Sequence, residues 1–374
     1  MTAEPFAKQL AALESRGRLR RLTPRAGRDF ASNDYLGLAG DPIIAQAVAD
    51  ALGRGVPVGS GGSRLLRGNA PEHEGLEAKA ADYFRTQGAL FVANGFVGNL
   101  AVFGTLPQRG DLIVADELIH ASAHDGIRMS KASAVFARHN DVQSFADLIT
   151  AFRTEGGMGR IWIAVETLYS MDGDMAPLTD LAKLAAKHGA MLLLDEAHGT
   201  GVFGPRGRGL AAGLEGLHNV ITLHTCGKAM GAEGALICGP QVHIDYLINR
   251  ARAFIFSTAP SPLMAIAVSA AIDRIDQADD LRDRLKTLRQ DAVEAICAPL
   301  GLPAPRSQIV PVILGDDART MAVAAALQEA GFDVRGIRPP TVPAGTSRLR
   351  ISLTLNIGRA DIAALGRELT RIMA

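Results

Sequence analysis

Residues 191–204 read MLLLDEAHGTGVFG. The opening apolar run is continuous and too short for a typical helix, which suits a strand covered on both faces. It ends at Asp195, a carboxylate with no basic residue beside it. Five runs of the same kind surround it: ALFVA (89–93), DLIVAD (111–116), IWIAVE (161–166), NVITLH (219–224) and GALICG (234–239). Helical patterns lie between them. In PLTDLAKLAAKHG (177–189), Leu178, Leu181, Ala182 and Ala185 form one stripe and Gly189 suits the stop. This alternation predicts an α/β fold with a mostly parallel sheet in a large domain over residues 41–270.

The flanks read differently. Residues 1–40 suggest an arm: a short amphipathic helix (Phe6, Leu10, Leu13), the basic run Arg16 to Arg21, and the extended piece DFASNDYLGL (29–38). A lone basic run is usually a solvated face. Residues 271–374 suggest a smaller α+β domain. It would hold a long polar helix (Asp279 to Ala298), strand IVPVILG (309–315), a helix over 320–330, strand RLRISLTL (348–355) and a terminal helix carrying Ile362, Leu365, Leu369 and Ile372.

Composition narrows the function. The 374 residues carry 39 Lys+Arg against 39 Asp+Glu, which disfavours a nucleic-acid binder driven by bulk charge. The stretch Thr86–Gln108 has no charge and is long enough to span a bilayer, but Asn94, Asn99 and its glycines favour a buried strand, a turn and a core helix. No membrane segment is expected. The N-terminus has no apolar core of a secretory signal. Cys226, Cys238 and Cys297 lack metal-ligand spacing and make a poor disulfide framework, so the expectation is no metal site and a cytoplasmic, reducing home.

Three side chains stand where ligands gather, at the carboxyl ends of parallel strands: Asp195, His198 three residues on, and Lys228 in HTCGKAMG (224–231). Such a set can serve pyridoxal phosphate. The lysine amine condenses with the aldehyde, and the carboxylate keeps the pyridine nitrogen protonated so that the ring accepts carbanion charge. The alternative is a surface lysine and a helicase-like DEAH fragment, but a helicase would need G-x-x-x-x-G-K-[ST], which is absent from the sequence. GTGVFG (199–204) fits a dinucleotide fingerprint, yet Pro205, Gly207 and Gly209 leave no helix to receive a pyrophosphate.

Other segments stay open on spacing alone. VGSGGSRLLRGN (58–69) suits an anion nest, a subunit contact or a flexible loop. NGFVGN (94–99) suits either a phosphate at a helix start or a simple turn. His120 could stack on a ring or be a satisfied histidine near a strand end. Arg348 and Arg350 share one face of the last strand, for a carboxylate clamp or an edge-strand salt bridge.

In order along the chain, SNDYLGL (32–38), GSGGSRLLRGN (59–69), ADELIHAS (115–122), SMDGD (170–174), DEAHGTGVFG (195–204), TCGKAMG (225–231), FSTAPSP (256–262) and RPPTVPAGTSRLRISLT (338–354) resemble the α-oxoamine synthases. These are fold type I pyridoxal 5'-phosphate enzymes, built like aspartate aminotransferase. DEAHGTG and PPTVPAGTSRLRISLT are most similar to the branch that condenses L-alanine with a pimeloyl thioester in biotin biosynthesis. Glycine C-acetyltransfer is the alternative within the family.

The resemblance implies a role for each residue. Lys228 would carry the cofactor, Asp195 would face the pyridinium nitrogen, and His198 and Ser170 the phenolic oxygen. His120 would stack on the ring. Gly95, Phe96 and Thr225 would hold the phosphate, with Thr258 from the second subunit of a homodimer. Arg350 would grip the amino-acid carboxylate, and Arg20, with Arg18 and Arg21 as alternatives, the acyl substrate. Gly227 before the lysine fits the family; Cys226 and Glu233 depart from its commoner residues.

Overall fold

A strand buried on both faces must alternate its side chains between two helix layers. In the computed structural model, which describes residues 4–374, the central strands do this. Seven strands form one sheet: β1 (Gly88–Val92), β2 (Leu112–Asp116), β3 (Ser133–Ala137), β4 (Ile161–Glu166), β5 (Met191–Asp195), β6 (Val220–Thr225) and β7 (Ala235–Gly239). Their order is β1-β7-β6-β5-β4-β2-β3. The β6-β5-β4-β2-β3 pairings are parallel, and β7 runs antiparallel to both its neighbours. The expected mostly parallel sheet is present. One strand, β3, escaped sequence reading. Its outer position leaves it half exposed, so it lacks the unbroken apolar run of the others.

Ile113, Trp162, Ala164, Met191, Leu193, Ile221 and Leu223 point to one face, in the same cluster as Ala101, Val102 and Phe103 of α1 (Gly95–Thr105) and Ala123 and Ile127 of α2 (Ala121–Met129). Leu112, Val114, Ile161, Ile163, Leu192 and Leu194 point to the other, against Phe145 and Ile149 of α3 (Val142–Thr154) and Leu181, Leu184 and Ala185 of α4 (Leu178–His188). Helix α4 stops where expected, at Gly189, whose φ of 59° is left-handed. The uncharged stretch 86–108 contains β1, a turn capped by Asn94 and α1. No helix among the described residues is long and apolar enough to cross a membrane.

By its contacts the chain divides into a unit of Asn33–Leu285 and a unit of Met1–Ser32 with Lys286–Ala374. The boundaries expected from sequence lay at 40 and 270. The smaller unit joins its two segments by backbone pairing: Arg28–Asp29 pairs in parallel with Phe332–Asp333, and Phe30 O accepts the Ser352 N–H at 2.8 Å. Pairing across some three hundred residues leaves no local sequence signal. This unit holds the antiparallel sheet β9-β10-β8, from β8 (Ile309–Gly315), β9 (Arg335–Ile337) and β10 (Ser347–Ser352). Helices Asp317–Glu329 and Arg359–Met373 accompany it. The helix expected from Asp279 to Ala298 runs to Ala292 and ends in a wider turn over Val293–Cys297. Cys226, Cys238 and Cys297 are buried free thiols.

Gly126 sets the approach of α2 to α1. A Cβ there would lie 2.8 Å from both Asn99 O and Phe103 Cβ, so the helices would have to separate. Gly126→Ala is expected to cost about 1–3 kcal/mol, read as a lowered melting temperature; an unchanged melt would show that the helix pair gives way without strain.

Candidate active site

Period-two alternation puts Asp195 on the same face as Met191 and Leu193, the face covered by α1. Glu166, its register partner on β4, and Thr225, the last residue of β6, share that face. Asp195 is buried at the strand end. Its Oδ2 accepts Asn99 Nδ2 of α1 at 2.8 Å, and its Oδ1 accepts the Ala197 N–H at 2.9 Å. Asn99 also donates to Ser122 Oγ at 2.9 Å. Ser122 in turn lies 2.7 Å from His120 Nδ1.

That network sets the state of His120. The Ser122 N–H donates to Nδ1 at 3.2 Å, so Nδ1 carries the lone pair and the proton sits on Nε2. Burial holds the imidazole below its ordinary pKa. The Lys228 charge pushes it the same way, and Asp195 opposes. His120 is therefore a neutral N–H donor within the electrostatic reach of both Asp195 and Lys228.

A second network reaches Lys228. Tyr35 OH donates to Asn33 Oδ1 at 3.0 Å and accepts from His198 Nδ1 at 2.6 Å. With that nitrogen committed as donor, His198 Nε2 accepts from Lys228 Nζ at 2.6 Å. Tyr35 and His198 are both buried. The three strand-end residues singled out in the sequence thus lie in one region of the larger unit, together with His120.

Gly95 and Phe96 open α1, where helix geometry leaves N–H groups without intrahelical partners. An added Cβ on Gly95 would lie 3.5 Å from Thr225 Oγ1, so the hydroxyl borders this helix start. Ser170 follows β4, and its N–H bonds Glu166. Thr258 is exposed and lines a small cavity with Arg64, Ala93 and Val97. Segment 58–69 is pinned rather than loose. Arg64 forks onto Glu77 at 2.8 Å through both terminal nitrogens, and the Ala259 N–H donates to Gly62 O at 2.9 Å. After GTGVFG no α-helix begins until Gln241, so no dinucleotide helix exists there.

Arg350 and Arg20 belong to the smaller unit. Arg350 is buried and donates to Ser352 Oγ at 2.7 Å. Its strand β10 is central in its sheet, which removes the edge-strand alternative. Arg18 pairs with Asp317 at 3.1 Å and Arg21 with Glu14 at 3.3 Å, whereas Arg20 meets the neutral hydroxyl of Thr341 at 3.4 Å.

The donor set suits pyridoxal phosphate. It offers a carboxylate for a pyridinium N–H, an amine for an aldehyde, a flat imidazole, and a helix start with a hydroxyl for a phosphate. Among the described residues no cluster of side chains is built to hold a metal ion. Sequence reading missed Tyr35, Asn99, Ser122 and Glu166. Asn99 had a signal, since an amide inside an uncharged core helix needs a buried partner.

Two further carboxyls flank Asp195. Burial, with the Asp195 charge adding to it, raises Glu166 well above the usual range. Glu196 is fully buried, accepts the Ala211 N–H, and is pushed up to about 7, chiefly by burial. An acid whose folded pKa exceeds its unfolded 4.5 costs stability increasingly as pH rises from about 4.5, and the cost is complete above about 7. It amounts to about 3 kcal/mol. The melting temperature of Glu196→Gln relative to the parent is therefore expected to rise between pH 5 and pH 8. A gap that stays constant would place the Glu196 pKa near its unfolded value.

Known proteins carry the same pattern. The sequence model of aminotransferase class I and II matches residues 27–364. The chain is 43% identical over 363 residues to 8-amino-7-oxononanoate synthase of Anaeromyxobacter dehalogenans (strain 2CP-1), covering 92% of this chain and 89% of that one. It is 40% identical over 379 residues to the enzyme of that name from Azoarcus sp. (strain BH72), covering 97% and 96%. Among solved structures, a lysine-to-alanine variant of a serine palmitoyltransferase from S. paucimobilis with a bound PLP–myriocin aldimine superposes with a TM-score of 0.90 at 27% identity, covering 99% of this chain and 98% of that one. An 8-amino-7-oxononanoate synthase from Francisella tularensis does so with 0.77 at 28% identity, covering 92% and 97%. The chain belongs to the class I and II aminotransferase family of pyridoxal phosphate enzymes, and within it to the 8-amino-7-oxononanoate synthase family.

Proposed function

We infer that this chain condenses L-alanine with pimeloyl-CoA, or with pimeloyl-carrier protein, to give 8-amino-7-oxononanoate, CO2 and CoA or free carrier protein, a step of biotin biosynthesis. The observation that carries the reading is the agreement in name of relatives at about 40% identity over nearly the whole chain. The gathering of Lys228, Asp195, His198 and His120 in one unit supports the chemistry.

When bound, pyridoxal phosphate supplies the electron sink for negative charge at the alanine Cα. The residues act around it. Lys228 would hold the group through its amine, which is also the base available for the alanine Cα proton. Asp195, fixed by Asn99 and Ala197, would keep the pyridine nitrogen protonated. His198 and Ser170 would hold the group at its phenolic oxygen. Gly95, Phe96 and Thr225 offer N–H and O–H donors to the phosphate. His120 would lie against the group and offer its Nε2–H to the oxygen on which charge gathers as the thioester carbonyl is attacked.

The two carboxylates of the substrates call for guanidinium groups. We assign that of alanine to Arg350 and the distal acid of the pimeloyl chain to Arg20. Of the three candidate arginines Arg18, Arg20 and Arg21, Arg20 is the one whose described partner is neutral, while Arg18 and Arg21 already pair with carboxylates.

We also propose a homodimer in the cytoplasm. Leu65, Leu66, Phe96 and Phe256 are large apolar side chains left exposed on the larger unit, on or beside the segments that carry Thr258 and the helix start. A second copy that covers them would bring its own Thr258 to the phosphate. The lone buried thiols suit a reducing compartment. Sedimentation at micromolar concentration is expected to give a dimer, and a monomer there would remove the shared site.

The activity itself is tested by offering alanine, glycine and serine with pimeloyl, acetyl and palmitoyl thioesters. Alanine with pimeloyl thioester is expected to give the highest kcat/KM and to release CO2. Preference for serine with palmitoyl, or for glycine with acetyl, would move the chain to a sister activity. Lys228→Ala is the control. It is expected to purify without the visible absorbance band of covalently held cofactor and to lose turnover.

A further inference from the structure

Beside the site lies a three-residue bridge that the reaction scheme does not use. His139 follows β3, Asp116 ends β2, and Asp174 lies in the turn after β4, so the bridge crosses three adjacent strand ends. His139 Nδ1 is 2.9 Å from Asp116 Oδ1, and Nε2 is 2.8 Å from Asp174 Oδ2. An imidazole between two carboxylates must donate through both nitrogens, so it carries a proton on each. Asn140 repeats the link, its N–H donating to Asp116 Oδ2 at 2.8 Å and its amide to Asp174 Oδ2 at 2.6 Å. The Tyr169 ring closes the group edge-on to His139 at 4.5 Å.

Each aspartate also shapes a turn that leads into the site, Asp116 through its carboxylate and backbone and Asp174 through its backbone carbonyl. Asp116 Oδ1 accepts the Leu118 N–H at 2.9 Å, and Asp116 O accepts the Ile119 N–H at 3.1 Å, which forms the turn that delivers His120. Asp174 O accepts the Tyr169 N–H at 2.9 Å, and Tyr169 O accepts the Gly173 N–H at 2.9 Å, which closes the loop that carries Ser170. The bridge thus ties the root of the His120 turn to the root of the Ser170 loop.

We propose that His139 is a positioning residue for the condensation: held as a cation between Asp116 and Asp174, it fixes the spacing of the two turns that present His120 and Ser170 to the cofactor. This rests on the reading of the site given above. Burial works against a charge on His139, but the bonds to Asp116 and Asp174 outweigh it and raise the imidazole to about 10, so the clamp stays closed through the neutral range. A charged bridge suits the task because two short hydrogen bonds to carboxylates are stronger and more directional than apolar packing. A small error in placing a reacting group costs rate steeply.

The test uses holoenzyme saturated with pyridoxal phosphate and compares the parent with His139→Ala, His139→Gln and Asp174→Asn. Three readouts are taken: visible circular dichroism per bound cofactor, cofactor affinity by titration, and kcat with KM for alanine. His139→Ala is expected to keep the absorbance band of cofactor held by Lys228. Its visible circular dichroism should change, and kcat should fall by about ten- to a hundredfold with KM for alanine nearly unchanged. Adding Asp174→Asn to it should bring a smaller further loss than the first, because of the bridge only the Asn140 bonds to Asp116 and Asp174 then remain to be weakened. His139→Gln, which keeps much of the bulk, covers the case in which the alanine variant fails to fold, and should show the same spectral change in milder form. Saturated variants with the parent's circular dichroism and kcat, and only a lower melting temperature, would overturn the proposal. Failure of the underlying reading shows separately, as a parent protein that binds no cofactor.

Discussion

A buried carboxylate at the end of a central strand is the constraint around which the larger unit is organised. Removing Asp195 from water is costly unless its oxygens are bonded. Asn99 and Ala197 supply those bonds. Asn99 can do so because α1 lies flat on the same face of the sheet, and α1 can lie close to α2 because Gly126 has no side chain. The same amide continues through Ser122 to His120, so the orientation of the aromatic donor follows from the fixing of the acid.

Neighbouring acids do not compete for that role. Glu166 and Glu196 are closely placed, and burial raises both, which favours their protonated forms beside Asp195. Their differing environments make one strand end chemically useful and the others structural. On the lysine side, Tyr35 and Asn33 commit one nitrogen of His198 as donor and leave the other as acceptor toward Lys228. In both networks the functional group is oriented by a buried residue from a distant segment.

Much of this architecture was readable from one dimension. Six of the seven strands of the large sheet announce themselves as apolar runs, because a strand covered on both faces has no polar position to spare. The seventh, Ser133–Ala137, is half exposed at the sheet's margin and its composition is ordinary. Asp195 was visible because a carboxylate that ends such a run breaks the local pattern, and Lys228 because it follows the next run among small residues. Tyr35, Asn99 and His139 were not marked out as site residues. Tyr35 reaches its partner across 163 residues and Asn99 across 96, and neither carries a charge that would flag it.

The sequence alone determined which elements form, that they alternate into a mostly parallel sheet, and which strand ends carry an acid, a histidine and an amine. These follow from local patterning: side-chain period, turn residues and the position of a charge after an apolar run. The tertiary structure decided which nitrogen of His120 and of His198 holds the proton, which of Arg18, Arg20 and Arg21 meets a neutral hydroxyl rather than a carboxylate, and how residues 28–30 join the C-terminal strands. Those outcomes depend on hydrogen bonds and burial between segments far apart in the chain, and no local pattern encodes a partner that only folding brings within 3 Å.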